Sequence, residues 1–172
     1  VETLFTYLGQ SWKAFPQADS PEKRLFEQHF GSLKRLRWLP GSRNPDQWFS
    51  PDTLYTIFNK YWFETQGNFL SFSDAVQRDA SKFLEEFLII NSRPIPIYVV
   101  RHILYCSENN IAVNWQVYNF LSFKESLAEE LVLRELEGKH CILVTDDPVV
   151  YVRPDQVFWN DHPFGPYRYK LG

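Results

Sequence analysis

The residues that could carry chemistry are few, and two of them lie four apart. Nucleophilic catalysis by a thiol needs a His within hydrogen-bond reach and a third group to orient the ring. His102 and Cys106 would share one side of a helix, but Val99, Val100, Ile103, Leu104 and Tyr105 surround them. That setting predicts a core thiol beside a partly buried His. His140 and Cys141 are adjacent, and on a strand adjacent side chains point to opposite faces, so they form no pair. The densest metal-like group is Asp161-His162 with Asp155, yet no H-x-x-x-H, C-x-x-C or Glu-x-x-His pattern accompanies it. His162 before Pro163 reads as a turn residue, and Asp146-Asp147 before Pro148 reads as a turn pair. The seven glycines are scattered, and none follows a strand to open a helix, so no phosphate loop is present. Neither a cofactor nor a metal is expected. An enzyme would have to assemble its site from distant residues such as His102, Asp155, His162 and Tyr167.

One stretch combines charge with aromatic surface. Lys34, Arg35, Arg37 and Arg43 carry four positive charges with no acid between them, interleaved with Trp38 and followed by Trp48 and Phe49. Basic groups contact phosphate and rings offer stacking faces, so nucleic-acid binding is a reading to weigh. Cations at the end of a helix also relieve its dipole, and a solvated helix end is the favoured account. The C-terminal arm adds Trp159, His162, Tyr167 and Arg168 as candidate contacts.

The composition bounds these choices. A chain of 172 residues is expected to form one domain, with a possible sub-division into 1–92 and 93–172. It buries roughly 70% of its unfolded surface, enough for a core without staples. Its net charge of −3 gives no general attraction to nucleic acid or to an anionic membrane. The 30 aromatic residues (15 Phe, 9 Tyr, 6 Trp) exceed what a core needs, so some are expected at the surface, where rings anchor partners. No apolar run reaches the ~18 residues of a membrane span. Two cysteines, Cys106 and Cys141, are too few for a disulfide scaffold and are expected as free thiols in a reducing, intracellular compartment. Starting at Val1 and containing no Met, the chain is expected to be a processed product or part of a longer one.

The elements that must position these groups follow from pattern. Val1, Leu4, Phe5, Leu8, Trp12 and Phe15 predict a first helix, and Ser20-Pro21 opens a second with the stripe Leu25, Phe26, Phe30, Leu33, Leu36. Residues 39–50, with two Pro, a Gly and an Asn, predict a loop. Ser50-Pro51 repeats the cap, and Leu54, Ile57, Phe58, Tyr61 and Trp62 predict a third helix. Ser71 or Ser73 opens a fourth, with Val76, Ala80, Phe83, Leu84, Phe87 and Leu88 buried. The Pro-rich Asn91–Pro96 is the expected boundary. Residues 97–106 and 113–121 fit a strand or a helix, with helix favoured, and 122–138 is expected as a helix. The last has a capping box at Ser122–Glu125, a buried side that includes Leu131 and Val132, and Gly138 in the left-handed position after it. A hairpin of 141–145 with 149–152 follows.

The fold class expected is mainly α with a C-terminal β-hairpin (α+β), a helical N-terminal half packed on a winged-helix-like C-terminal part. The exposed face of helix 122–138 carries five acids (Glu125, Glu129, Glu130, Glu135, Glu137) against three bases, so it would repel phosphate. The functional expectation is a non-catalytic module that binds a protein partner through the 38–49 loop and the 158–169 arm. Nucleic-acid binding through Lys34–Arg43 is the alternative, and an enzyme with a scattered site is the third.

Overall fold

The computed structural model describes residues 1–15, 20–122, 130–158 and 170–171. The fold class is α+β: helical segments predominate, and three two-stranded antiparallel sheets accompany them. The chain divides into two compact units, Val1–Lys60 with Gly67–Pro94, and Tyr61–Gln66 with the chain from Ile95 on.

In the first unit, α1 (Glu2–Ala14) buries Phe5, Leu8, Gly9 and Trp12. Val1 and Leu4 flank this arc and are exposed, unlike the broader stripe the sequence suggests. Gly9 allows a close approach: a Cβ there would meet the Ala80 Cβ at 3.0 Å. The α2 helix (Pro21–Phe30) is capped by Ser20, whose hydroxyl accepts the Lys23 N–H at 3.3 Å. Its buried positions are Lys23 and Phe26, while Leu25 and Leu36 are exposed, a correction to the expected stripe. The Lys23 ammonium sits 4.5 Å from the Trp12 ring centre and donates to Glu86 Oε2 at 3.0 Å. A long stem covering an indole while its charge is paired replaces the expected leucine.

The expected loop contains two short strands, β1 (Leu39–Pro40) and β2 (Trp48–Phe49), paired Leu39 to Phe49 and Pro40 to Trp48. The third helix is overturned. Pro51–Thr53 is one 3-10 turn, Leu54 is extended, and Ile57–Trp62 is 3-10 with a break at Asn59. The backbone here serves neighbouring segments instead of itself: Tyr55 N–H donates to Asn68 O, Leu70 N–H to Tyr55 O, and Thr56 N–H to Asn91 O. Tertiary pairing overrides the helical spacing. After α3 (Asp74–Asp79), capped by Ser73, a π-helical turn (Phe83–Leu88) ends at Ile89 in the left-handed region at φ 55°. Gln77 is fully buried and donates to the Leu70 and Phe72 carbonyls at 2.9 Å each while accepting from Ile57 N–H at 3.3 Å. One amide thus satisfies three backbone groups on two irregular segments, and its own polar atoms are paired as buried ones must be. Around it the core is ring-rich: Phe83 stacks on Phe87 at 5.2 Å, and Trp12 and Phe26 each lie 5.1 Å from Phe87.

In the second unit, α4 (Pro96–Glu108) and α5 (Gln116–Ser122) resolve the ambiguous stretches as helix. The expected capping residues Phe123, Lys124 and Glu125 lie outside the described residues. The helix is next seen as α6 (Glu130–Leu136), followed by Gly138 at φ 67°. Arg101 on α4 pairs with Glu135 at 2.9 Å, which turns Val132 inward and leaves Leu131 55% exposed, against the expected buried side. The hairpin β3 (Ile142–Asp146) and β4 (Val149–Val152) turns at Asp147–Pro148 and carries a bulge between Leu143 and Thr145. Two tyrosines pin it. The Tyr151 hydroxyl donates to Ile111 O at 2.8 Å and accepts Val113 N–H at 3.0 Å. The Tyr118 hydroxyl donates to Cys141 O and accepts Leu143 N–H, both at 2.9 Å. The final pair joins β5 (Val157–Phe158) and β6 (Lys170–Leu171). Among the described residues no helix is long and apolar enough to cross a membrane.

Candidate functional site

The basic, aromatic stretch is split by the fold. Lys34 is drawn inward: its ammonium donates to Glu27 Oε1 at 3.0 Å and lies 4.8 Å from the Phe87 ring centre. Trp38 is half-buried against the core, with its indole N–H donating to Leu33 O at 2.9 Å and its ring 6.4 Å from Phe5. Neither offers a free surface. Arg35 and Arg37 are exposed, and among the described residues neither guanidinium has an ion-pair or hydrogen-bond partner. Adjacent residues of a strand face opposite ways. Phe49 packs on the core, while Trp48 is 47% exposed.

Arg37 and Arg43 come together at one cleft of about 480 Å³. Its walls also contain Asn44, Gln47, Phe49, Ser50, Thr53 and Asn68. The sequence reading found Arg37, Arg43 and Phe49 and missed the amides and hydroxyls. Asn68 lies 25 residues from Arg43 in the chain, and only the extended pairing around Leu70 brings it close. Arg43 is fixed from two sides, its backbone N–H donating to Asn68 Oδ1 at 3.2 Å and its Nε to Gly67 O at 3.1 Å. Asn44 forms an Asx turn, accepting Asp46 N–H at 3.2 Å, and its amide donates to Gln47 Oε1 at 3.4 Å. A Cβ on Gly41 would meet Asn68 Oδ1 at 2.6 Å and the Phe49 ring at 2.7 Å, so a larger residue there would displace both.

Chemically the cleft offers two guanidinia, three carboxamides and two hydroxyls. No carboxylate, imidazole or thiol among the described residues lines it, so it holds no nucleophile–base pair. A second concavity of about 590 Å³ in the other unit mixes Glu130, Glu137 and Asp155 with Arg134 and Arg153. Its arginines pair with its own acids, Arg134 with Glu130 and Arg153 with Asp155, so it selects no charge.

The catalytic candidates behave as structural groups. Thr65 Oγ1 lies 3.0 Å from His102 Nδ1, and Cys106 Sγ lies 3.8 Å from its Nε2. Burial holds the His102 imidazole below its ordinary value, against the pull of Glu64 and of a hydrogen bond to the Tyr61 backbone. Burial, with Glu64 adding to it, raises the Cys106 thiol. A neutral imidazole beside a protonated thiol is the reverse of an activated pair. Burial likewise pushes Cys141 up to about 11. Both cysteines are free and buried. Asp155 pairs with Arg153 at 3.2 Å. Trp159, Asp161, His162, Tyr167 and Arg168 lie outside the described residues. Among the described residues no three His, Cys, Asp or Glu side chains are grouped to hold a metal ion. Compared with family models, curated proteins and solved structures, the chain matches none.

Proposed function

We propose that the chain is a non-catalytic module that binds other proteins through the surface between Arg35 and Thr53. The observation that carries this reading is the exposed Trp48 on the strand whose Phe49 lines a cleft that no acid among the described residues enters, with Phe49 packed on the aromatic core. Exposed Trp and Arg are the side chains that most often dominate binding energy between proteins. The helix–hairpin order of α4, α5, α6, β3 and β4 fits a winged-helix-like part. Its α6 carries Glu130 and Glu135 along with Arg134, and Glu137 follows it, so this part serves as scaffold and not as a reader of DNA. Two buried free thiols favour a reducing, intracellular setting.

Nucleic acid is the rival ligand, favoured by Arg35 and Arg37, which have no partner among the described residues. Against it stand the paired Lys34 and the inward Trp38, which leave no continuous track of charge and stacking faces.

Affinity capture with quantitative mass spectrometry tests the reading, comparing wild type with Trp48→Ala and Arg37→Ala after circular dichroism confirms both variants fold. The expected outcome is a set of proteins captured by wild type and depleted with both variants. Unchanged capture, or strong salt-sensitive binding to a single-stranded oligonucleotide in its place, overturns it.

A further inference from the structure

We propose that the cleft between Arg37 and Arg43 recognises an oxyanion, a phosphate or a carboxylate, displayed on an extended segment of the partner protein. This rests on the protein-binding reading above and names what that surface recognises.

The charge distribution is the first argument. The chain carries a net −3, yet this cleft gathers two arginines and, among the described residues, no acid lines it. A recess lined by one sign of charge concentrates counter-ions of the other. The donors are the second. Arg37 has no partner among the described residues, and Arg43 is held at its Nε by Gly67 O, which sets the plane of its guanidinium. A planar guanidinium matches carboxylate and phosphate oxygens two at a time. Ser50 supplies a third observation. Ser20 and Ser73 use their hydroxyls to cap the helices that follow, whereas Ser50, before the same Ser-Pro pattern as Ser20, makes no such capping bond. Ser50 is instead among the residues that line the cleft, with Asn44 and Gln47.

Rigidity is the fourth argument. Arg43 is held by Asn68 Oδ1 and Gly67 O, and Asn44 by its Asx turn and Gln47, so part of the donor set is placed before the ligand arrives. A volume of about 480 Å³ suits one charged side chain and its flanking backbone. A nucleic-acid strand would instead need the charge to continue along its backbone, and Lys34 is already neutralised by Glu27.

The test is a heteronuclear NMR titration of the full chain. The probes are inorganic phosphate, three synthetic peptides of one sequence with phosphoserine, Glu or Ala at the centre, and an oligothymidylate. The expected result is saturable shifts confined to the Arg37 and Arg43 side chains and the amides of Asn44, Gln47 and Ser50. Binding of the phosphoserine or Glu peptide should be about tenfold tighter than that of the Ala peptide. Whichever of those two binds more tightly identifies the source of the oxyanion. Arg37→Ala should abolish the preference, and Arg37→Lys should restore part of it. Shifts scattered over the surface, or a preference that survives Arg37→Ala, overturn the inference. So does an oligothymidylate that binds more tightly than every peptide. If no anion binds while partner capture still depends on Trp48, the oxyanion inference fails and the protein-binding reading stands. If anions bind as expected and no protein is captured, it is the protein-binding reading, and the partner assignment resting on it, that falls.

Discussion

The two units solve the problem of irregular backbone in different ways. The first wraps extended segments and short 3-10 turns around packed rings, with Gln77 as the one large polar side chain fully buried among its described residues. The second uses regular helices and a hairpin, and ties them with polar groups inside: Tyr118, Tyr151 and His102 each bridge segments distant in the chain. Ring packing is insensitive to pH and depends on shape. Buried hydroxyls and imidazoles depend on protonation and on every partner being present. The difference also explains where the binding surface lies. A loop presents donors accurately only when its base is stiff, and the 39–50 segment stands on the ring cluster.

The largest effect is expected at the ring cluster. Phe87→Ala removes a ring that touches Phe83, Trp12 and Phe26, and should cost about 3–5 kcal/mol in urea unfolding of the whole chain. A cost below about 1 kcal/mol would mean the cluster is not what holds the first unit. Next comes Tyr151→Phe, which leaves Val113 N–H and Ile111 O without their partner in the second unit. It should cost about 1–3 kcal/mol, whereas Tyr7→Phe at an exposed hydroxyl should stay within about 0.5 kcal/mol. Equal effects from the two tyrosines would erase the contrast.

The smallest effect concerns acid. Burial lowers the His102 value below the ordinary 6.5, with Glu64, Cys106 and Thr65 facing the ring. The unfolded chain therefore takes up this proton first as pH falls, and the folded form loses ground. The stabilisation is complete above about pH 6.5 and declines progressively below it. Thermal melts from pH 7.5 down to 5 should show this slope in wild type and a flatter one in His102→Gln. A slope that is unchanged in the variant assigns the acid sensitivity elsewhere.

Much of this was legible in the residues. Ser20 and Ser73 at their caps, Pro96 opening α4, Gly138 past α6 and the turn at Asp147–Pro148 act locally, and local chemistry is what a sequence displays. The stretch from Leu54 to Trp62 misled because helical spacing there serves packing, while its backbone bonds go to Asn68, Leu70 and Asn91. Lys23 was invisible because its burial depends on meeting Trp12 and Glu86 in space. The cleft was half legible. Arg37, Arg43 and Phe49 stood out by type, but Asn68 reaches the site only through non-local pairing. Trp38 and Trp48 look alike in sequence, and strand alternation plus one carbonyl, that of Leu33, separates the buried one from the exposed one.

The two buried thiols have a practical corollary. Only a thiolate attacks a maleimide, and Cys106 and Cys141 are both shielded and held protonated at neutral pH. The native chain is thus chemically silent toward such reagents and forms a ready background for site-specific labelling. A single Asp46→Cys substitution would place a fluorophore on the exposed turn that carries Asn44 and Gln47, without first stripping the natural cysteines. Ligand occupancy at that surface then becomes something to watch directly, one dye per molecule.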